Sequence, residues 1–181
     1  MIIDDIERVY YSEDDLREMV KRIGREISRD YEGKNLLLVS ILKGSVLFMA
    51  DLMREITIPC KIDFMCISSY NDGTTSSGAV KIVKDLDINL EGYNVLIVED
   101  ILDSGRTLSY VRDILLRRNP ADIKIATLLD KPERRMPGID LKADYVGAPV
   151  PDAFVVGYGL DYAQNYRNLP FIGVLKEEKY R

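Results

Sequence analysis

Apolar positions recur along this chain with two different periods, and the changes of period mark its elements. Leu16, Met19, Val20, Ile23 and Ile27 follow the three- and four-residue spacing of one helix face. Ser12-Glu13-Asp14-Asp15 precedes them as a helix start, with Ser12 as N-cap and Asp15 in a variant of the capping box, and Gly33 closes the segment. Leu36 to Ile41 is an apolar run broken only by Ser40, the pattern of a parallel strand covered on both faces. Lys43-Gly44-Ser45 makes a turn, and a second helix is predicted to carry Val46, Met49, Ala50 and Met53 toward the core. Lys61 to Ser69 and Ala79 to Lys84 read as strands, separated by the polar, glycine-bearing loop from Tyr70 to Gly78. The aliphatic run Val95 to Val98 follows, then helical spacing at Leu108, Val111, Ile114 and Leu115, then a strand at Ile123 to Leu129. Beyond Pro132 the pattern becomes irregular, with short strands expected at Tyr145 to Gly147 and Phe154 to Tyr158.

Strands alternating with helices predict an α/β fold with a mainly parallel sheet flanked by helices. With no internal repeat, low-complexity segment or linker, the 181 residues read as one domain large enough to bury a substantial core. The N-terminal segment and the region after about residue 131 are expected to form a small hood over the carboxyl edge of the sheet. A net charge of -5 argues against a general nucleic-acid or anionic-membrane binder. No stretch approaches the about 20 apolar residues of a membrane span, and Met1-Ile2-Ile3-Asp4-Asp5 does not read as a signal peptide. Cys60 and Cys66 fall on one face of one strand, too far apart for a disulfide, so buried free thiols and a reducing cytoplasm are expected. The chain has no histidine, which removes every mechanism built on an imidazole and leaves acid–base work to Asp, Glu, Lys or Tyr.

The densest chemistry lies at Val95-Leu96-Ile97-Val98-Glu99-Asp100-Ile101-Leu102-Asp103-Ser104-Gly105-Arg106-Thr107. Aliphatics end in two adjacent carboxylates, a third follows, and a Ser-Gly-Arg-Thr turn leads into helical spacing. That is a strand, a loop and a helix N-terminus, with acids where an open α/β sheet builds its ligand crevice. The turn's N–H groups and hydroxyls suit a phosphate, reinforced by the helix dipole. Carboxylates and phosphate repel unless a sugar or a cation lies between them. The pattern therefore points to a phosphorylated sugar with a divalent metal, since two acids at the end of a buried strand need a partner such as a ribose diol or hydrated Mg²⁺.

The stretch from Glu99 to Thr107 resembles the phosphoribosyl-pyrophosphate signature of the purine salvage phosphoribosyltransferases, two acids followed by Asp-Ser/Thr-Gly-x-Thr. Further motifs occur in the family's order between about Ile6 and Leu175. The resemblance implies the type I phosphoribosyltransferase fold and, within it, the hypoxanthine or hypoxanthine-guanine branch. The implied reaction joins hypoxanthine, and guanine, to phosphoribosyl pyrophosphate with Mg²⁺, giving IMP or GMP and pyrophosphate. Its oxocarbenium-like sugar carbon is stabilised by placed negative charge and shielded from water, so no enzyme nucleophile is required. Glu99 and Asp100 would hold the ribose hydroxyls directly or through the metal, with Asp161 as a further metal ligand. Asp103 would take or share a proton at nitrogen seven of the purine, and Asp103, Ser104, Gly105, Arg106 and Thr107 would wrap the 5′-phosphate. Arg106 stands where many relatives vary. Lys43 and Gly44, preceded by a cis peptide at Leu42–Lys43, and Arg167 would bind pyrophosphate, with Arg135 matching a second basic position linked to it. Lys131 would donate to the six-oxo group, Phe154 would stack on the purine, and Val155 and Asp161 would complete the base site. Ala153 departs from the lysine that many relatives carry there. Ser69-Tyr70 would open a lid over the reaction. A homodimer or homotetramer is implied.

Alternatives are a xanthine-preferring relative and a phosphoribosyltransferase-fold RNA-binding regulator, because fold alone does not fix function. Acidic charge and a complete base pocket weigh against the regulator. A phosphoacceptor receiver domain would leave the Lys43-Gly44 turn and the segment from Phe154 to Asp161 unexplained.

Overall fold

A computed structural model describes residues 1–69 and 80–181. In chain order its elements are β1 (Ile6–Tyr11), α1 (Glu13–Asp30), β2 (Leu36–Leu42), α2 (Val46–Glu55), β3 (Cys60–Ser69) and β4 (Val80–Lys84). There follow β5 (Asn94–Leu102), α3 (Arg106–Leu116), β6 (Asp122–Asp130), β7 (Tyr145–Pro149), β8 (Val155–Val156) and β9 (Ile172–Leu175). Six strands form the main sheet in the order β4-β3-β2-β5-β6-β7, all parallel except β4. The chain winds from β2 outward to β3, then returns to place β5 on the other side of β2. The β2–β5 boundary is thus the switch point at which an open α/β sheet leaves a crevice outside its carboxyl ends.

Strand periodicity sends alternate residues into two cores. Leu36, Leu38, Leu96, Val98, Ala126 and Leu128 pack under α1 and α2, against Leu16, Val20, Ile23, Phe48 and Leu52. Leu37, Val39, Val95, Ile97 and Ile125 pack on the opposite face against Leu108, Val111 and Leu115 of α3. Helix α1 starts as its sequence predicts: Ser12 Oγ accepts from the Asp15 N–H at 3.2 Å while Asp15 Oδ2 accepts from the Ser12 N–H at 2.8 Å. A second sheet, β1-β9-β8, joins the N-terminal segment to the late part of the chain. Not all of the chain beyond Lys131 leaves the main sheet, because β7 is its edge strand beside β6.

Four expectations change. Helix α2 buries Phe48, Met49 and Leu52, whereas Val46, Ala50 and Met53 are exposed. Two apolar stripes run along this helix, and the one bearing Phe48 and Leu52 fills the groove beside α1. Strand β5 continues past the acids to Leu102 because its ladder with β6 persists, Ile101 opposite Leu129 and Leu102 opposite Asp130. Strand β8 is only Val155–Val156, since Gly157, Tyr158 and Gly159 all take positive φ (101°, 46° and 98°), which no strand uses. Cys60 and Cys66 are free, as expected, but half-buried.

Candidate active site

Strand β5 delivers its acids into the switch-point crevice. Asp100 is 8% exposed, and its Oδ1 accepts from the Ile101 N–H at 2.7 Å. Burial pushes its carboxyl up to about 6, partly offset by that backbone hydrogen bond. Glu99 Oε2 is buried without a partner, and burial with the neighbouring Asp100 holds this carboxyl well above the ordinary range. A buried oxygen left unpaired is unfavourable, and an external partner would satisfy it.

The loop after β5 is organised by a residue with a different expected role. Arg135 Nη1 donates to the carbonyls of Leu102 (2.8 Å), Asp103 and Lys131 (3.1 Å), and Nη2 pairs with Asp130. Its guanidinium is therefore committed to shaping the turn that carries Asp103. Gly105 then caps α3 with φ of 78°, and the Ser104 hydroxyl accepts from the Arg106 N–H at 3.4 Å. The leading N–H groups of α3, at Arg106 and Thr107, lie at the helix end that favours anions.

The Leu42–Lys43 peptide is cis. Gly44 lies so near Asp100 that a methyl group on it would overlap Asp100 Oδ2. Gly159 presses on the same turn from above, where a side chain would strike the Gly44 carbonyl. Lys43 Nζ donates to Gln164 Oε1 at 3.3 Å, and Arg167 Nη2 reaches the same oxygen at 3.3 Å. Arg167 also donates to the Gly159 carbonyl at 2.7 Å, pairs with Asp161 at 2.8 Å, and leaves its buried Nε–H without a partner. Two cations, Lys43 and Arg167, thus flank one turn.

On the other side of β5, a cavity of about 490 Å³ is lined by Ile101, Asp103, Lys131, Phe154, Val155 and Leu160. Lys131 is 8% exposed and its Nζ donates to the Ala153 carbonyl at 2.7 Å. Burial lowers the pKa of its ammonium, against the attraction of Asp103 and Asp152. Ser69 ends β3, and Tyr70 lies outside the described residues. A larger cleft of about 590 Å³ between α1, α2 and Leu169–Pro170 holds none of the expected site residues.

The phosphoribosyl transferase domain model matches residues 10–163. The chain belongs to the phosphoribosyl transferase family. Among its relatives is the hypoxanthine-guanine phosphoribosyltransferase of Streptococcus agalactiae, 55% identical over 180 residues covering 99% of both chains. That of Streptococcus pyogenes is 54% identical with the same coverage. A crystal structure of a Staphylococcus aureus hypoxanthine phosphoribosyltransferase superposes with a TM-score of 0.94 at 48% identity, covering 99% of this chain and 97% of that one.

The family implies Mg²⁺. Among the described residues no three carboxylate, histidine or cysteine groups converge on a metal position. Glu99 and Asp100 still fit this ion, because Mg²⁺ is commonly held by one or two carboxylates together with substrate phosphates and water. The unpartnered Glu99 oxygen is the observation that favours such a guest. Sequence reasoning missed Gln164, which links Lys43 to Arg167, and Arg134, whose guanidinium reaches Asp103 at 3.3 Å and Asp152 at 3.4 Å. It also missed Asp51, which accepts from the Tyr158 hydroxyl at 2.6 Å. Each of these is an ordinary polar residue until the fold brings its partner near.

Proposed function

We propose that this member of the family salvages purines, transferring the phosphoribosyl group of phosphoribosyl pyrophosphate to hypoxanthine and guanine and releasing pyrophosphate with IMP or GMP. The observation that carries the reading is buried Asp100 packed against Gly44 of the Lys43–Gly44 turn at the switch point, next to Glu99 with its buried, unpartnered Oε2. In this reading Glu99 and Asp100 orient the ribose hydroxyls, and Ser104 to Thr107 with the start of α3 hold the 5′-phosphate. Lys43, Gly44 and Arg167 receive the departing pyrophosphate. Lys131 donates to the six-oxo group, which an adenine amine cannot accept in the same way. Phe154 stacks on the base, the Val155 backbone reads its edge, and Asp103 holds the proton at nitrogen seven. Ser69 and Tyr70 begin the segment that excludes water. Glu99 and Asp100 would hold Mg²⁺, which would neutralise pyrophosphate charge, while Asp161, expected as a further ligand, is instead paired with Arg167.

The small sheet β1-β9-β8 acts as the hood of a single domain, and the protein works in the cytoplasm as a homodimer or homotetramer. The exposed stripe of Val46, Leu47 and Met53 on α2, each 37–39% exposed, supports self-association. Asp103→Asn tests the proton-transfer role. Turnover is expected to fall about 100-fold or more, with sugar-phosphate binding within a few-fold of the parent. Equal losses in turnover and binding would remove Asp103 from acid–base chemistry.

A further inference from the structure

The last turn of the chain packs against Phe154 at the wall of the base cavity. Strand β9 ends at Leu175, whose N–H donates to the Phe154 carbonyl at 2.8 Å, so the residues that follow emerge beside Phe154. Residues Glu177–Lys179 make a 3-10 turn that brings the Tyr180 ring onto Phe154, centroids 4.7 Å apart and planes 21° from parallel. Tyr162 meets Phe154 at 5.5 Å and 90°. Although two rings abut it, Phe154 stays 36% exposed, and Phe154, Tyr180 and Arg181 all contribute to the cavity wall.

The turn is tied down at the opposite end of the chain. Lys179 Nζ pairs with Asp5 Oδ1 at 2.8 Å, and the Lys176 N–H donates to the Asp5 carbonyl at 3.0 Å. Lys176 Nζ donates to the Asp4 carbonyl at 2.7 Å, and the Tyr166 hydroxyl donates to Asp5 Oδ2 at 2.9 Å. Residues 176–181 also lie beyond the segment matched by the family model.

We infer that Tyr180 is a positioning residue for the purine: it backs one face of Phe154, fixing that ring so that the other face meets the base. This rests on the reading of Phe154 as the base-stacking residue. A planar ring has one torsion that sets its tilt, and a stacked ring on one face restrains it. Sugar-phosphate binding and the chemical step do not involve that contact.

Initial rates with hypoxanthine and phosphoribosyl pyrophosphate test it on the full chain. Tyr180→Ala is expected to raise the KM for hypoxanthine about 3- to 10-fold, the effect of losing one aromatic pair. Its kcat and its KM for the sugar phosphate should stay within about two-fold, and Tyr180→Phe should restore the parent value. Asp5→Ala, which frees Lys179 without altering either ring, should raise the hypoxanthine KM in the same direction. Phe154→Ala should raise it further, and adding Tyr180→Ala to that variant should change nothing more. An unchanged hypoxanthine KM in Tyr180→Ala, with Phe154→Ala impaired, would overturn the inference and leave the base site intact. A lowered KM would overturn it by showing that Tyr180 occupies the place of the base. An unaltered KM in Phe154→Ala would reject the stacking role of Phe154 itself.

Discussion

Asp100→Asn removes one ionisable group from the crevice while keeping its shape and its acceptor for the Ile101 N–H. The Asp100 carboxyl moves from an ordinary 3.8 to about 6 on folding, chiefly through burial. Each pH unit of such a displacement corresponds to about 1.4 kcal/mol, so ionising Asp100 inside the fold costs about 3 kcal/mol more than ionising it in the unfolded chain. The sign follows from which state binds the proton. Below about pH 4 both states are protonated and the penalty vanishes; between about pH 4 and 6 only the unfolded chain ionises and the penalty grows; above that it is complete. An amide never ionises, and removing the Asp100 charge also eases ionisation of Glu99, which that charge opposes. Allowing for imperfect pairing of the new amide, Asp100→Asn should stabilise the metal-free protein by about 1–3 kcal/mol at pH 8. For a chain of this size that is a rise in Tm of about 3–8 °C. Calorimetry in a chelating buffer from pH 4.5 to 8 would measure it, and the gain should shrink steadily toward the acid end. A gain independent of pH, or a variant less stable than the parent at pH 8, would refute the reasoning. Activity should fall although stability rises, as expected where a site holds groups the fold alone does not favour.

Gly159→Ala forces a side chain onto the Gly44 carbonyl at a φ of 98°. It should raise the KM for phosphoribosyl pyrophosphate at least tenfold while changing the hypoxanthine KM less, as steady-state kinetics would report. Arg135→Lys breaks the multidentate grip on Leu102, Asp103 and Lys131 and weakens the pair with Asp130. Urea unfolding should show a loss of about 2–4 kcal/mol. Tyr158→Phe leaves Asp51 without the hydroxyl that reaches it at 2.6 Å. A stability loss of about 1 kcal/mol should appear in the same assay.

The centre of the fold and its acids were legible because their signals are local. Val95 to Thr107 carries an aliphatic run, its acids and its turn within one segment, and the structure keeps that order as β5, loop and α3. The Ser12 cap is local in the same way. What escaped is non-local. Periodicity points to the stripe of Val46, Met49, Ala50 and Met53 on α2, whereas the α1 groove selects the one bearing Phe48 and Leu52. Strands β1 and β9 pair across more than 160 residues, Ile6 opposite Leu175, and neither has an alternation strong enough to declare itself. The early end of β8 is written in the backbone angles of Gly157 to Gly159, and two of those residues are glycines whose φ the sequence leaves open. At the site, Arg134 and Arg135 are adjacent identical residues, and only the fold separates one that reaches Asp103 and Asp152 from one that braces the loop. The stack of Tyr180 on Phe154 has no sequence signal, since 25 residues lie between the two and only the β8–β9 pairing brings them together.

The most direct measurement is of initial rates with phosphoribosyl pyrophosphate and Mg²⁺, offering hypoxanthine, guanine, xanthine and adenine in turn. Conversion of hypoxanthine is expected, with guanine also accepted and adenine inert, as follows from the proposed donation of Lys131 to a six-oxo group. No conversion of any base by folded protein, or adenine consumed as readily as hypoxanthine, would contradict it.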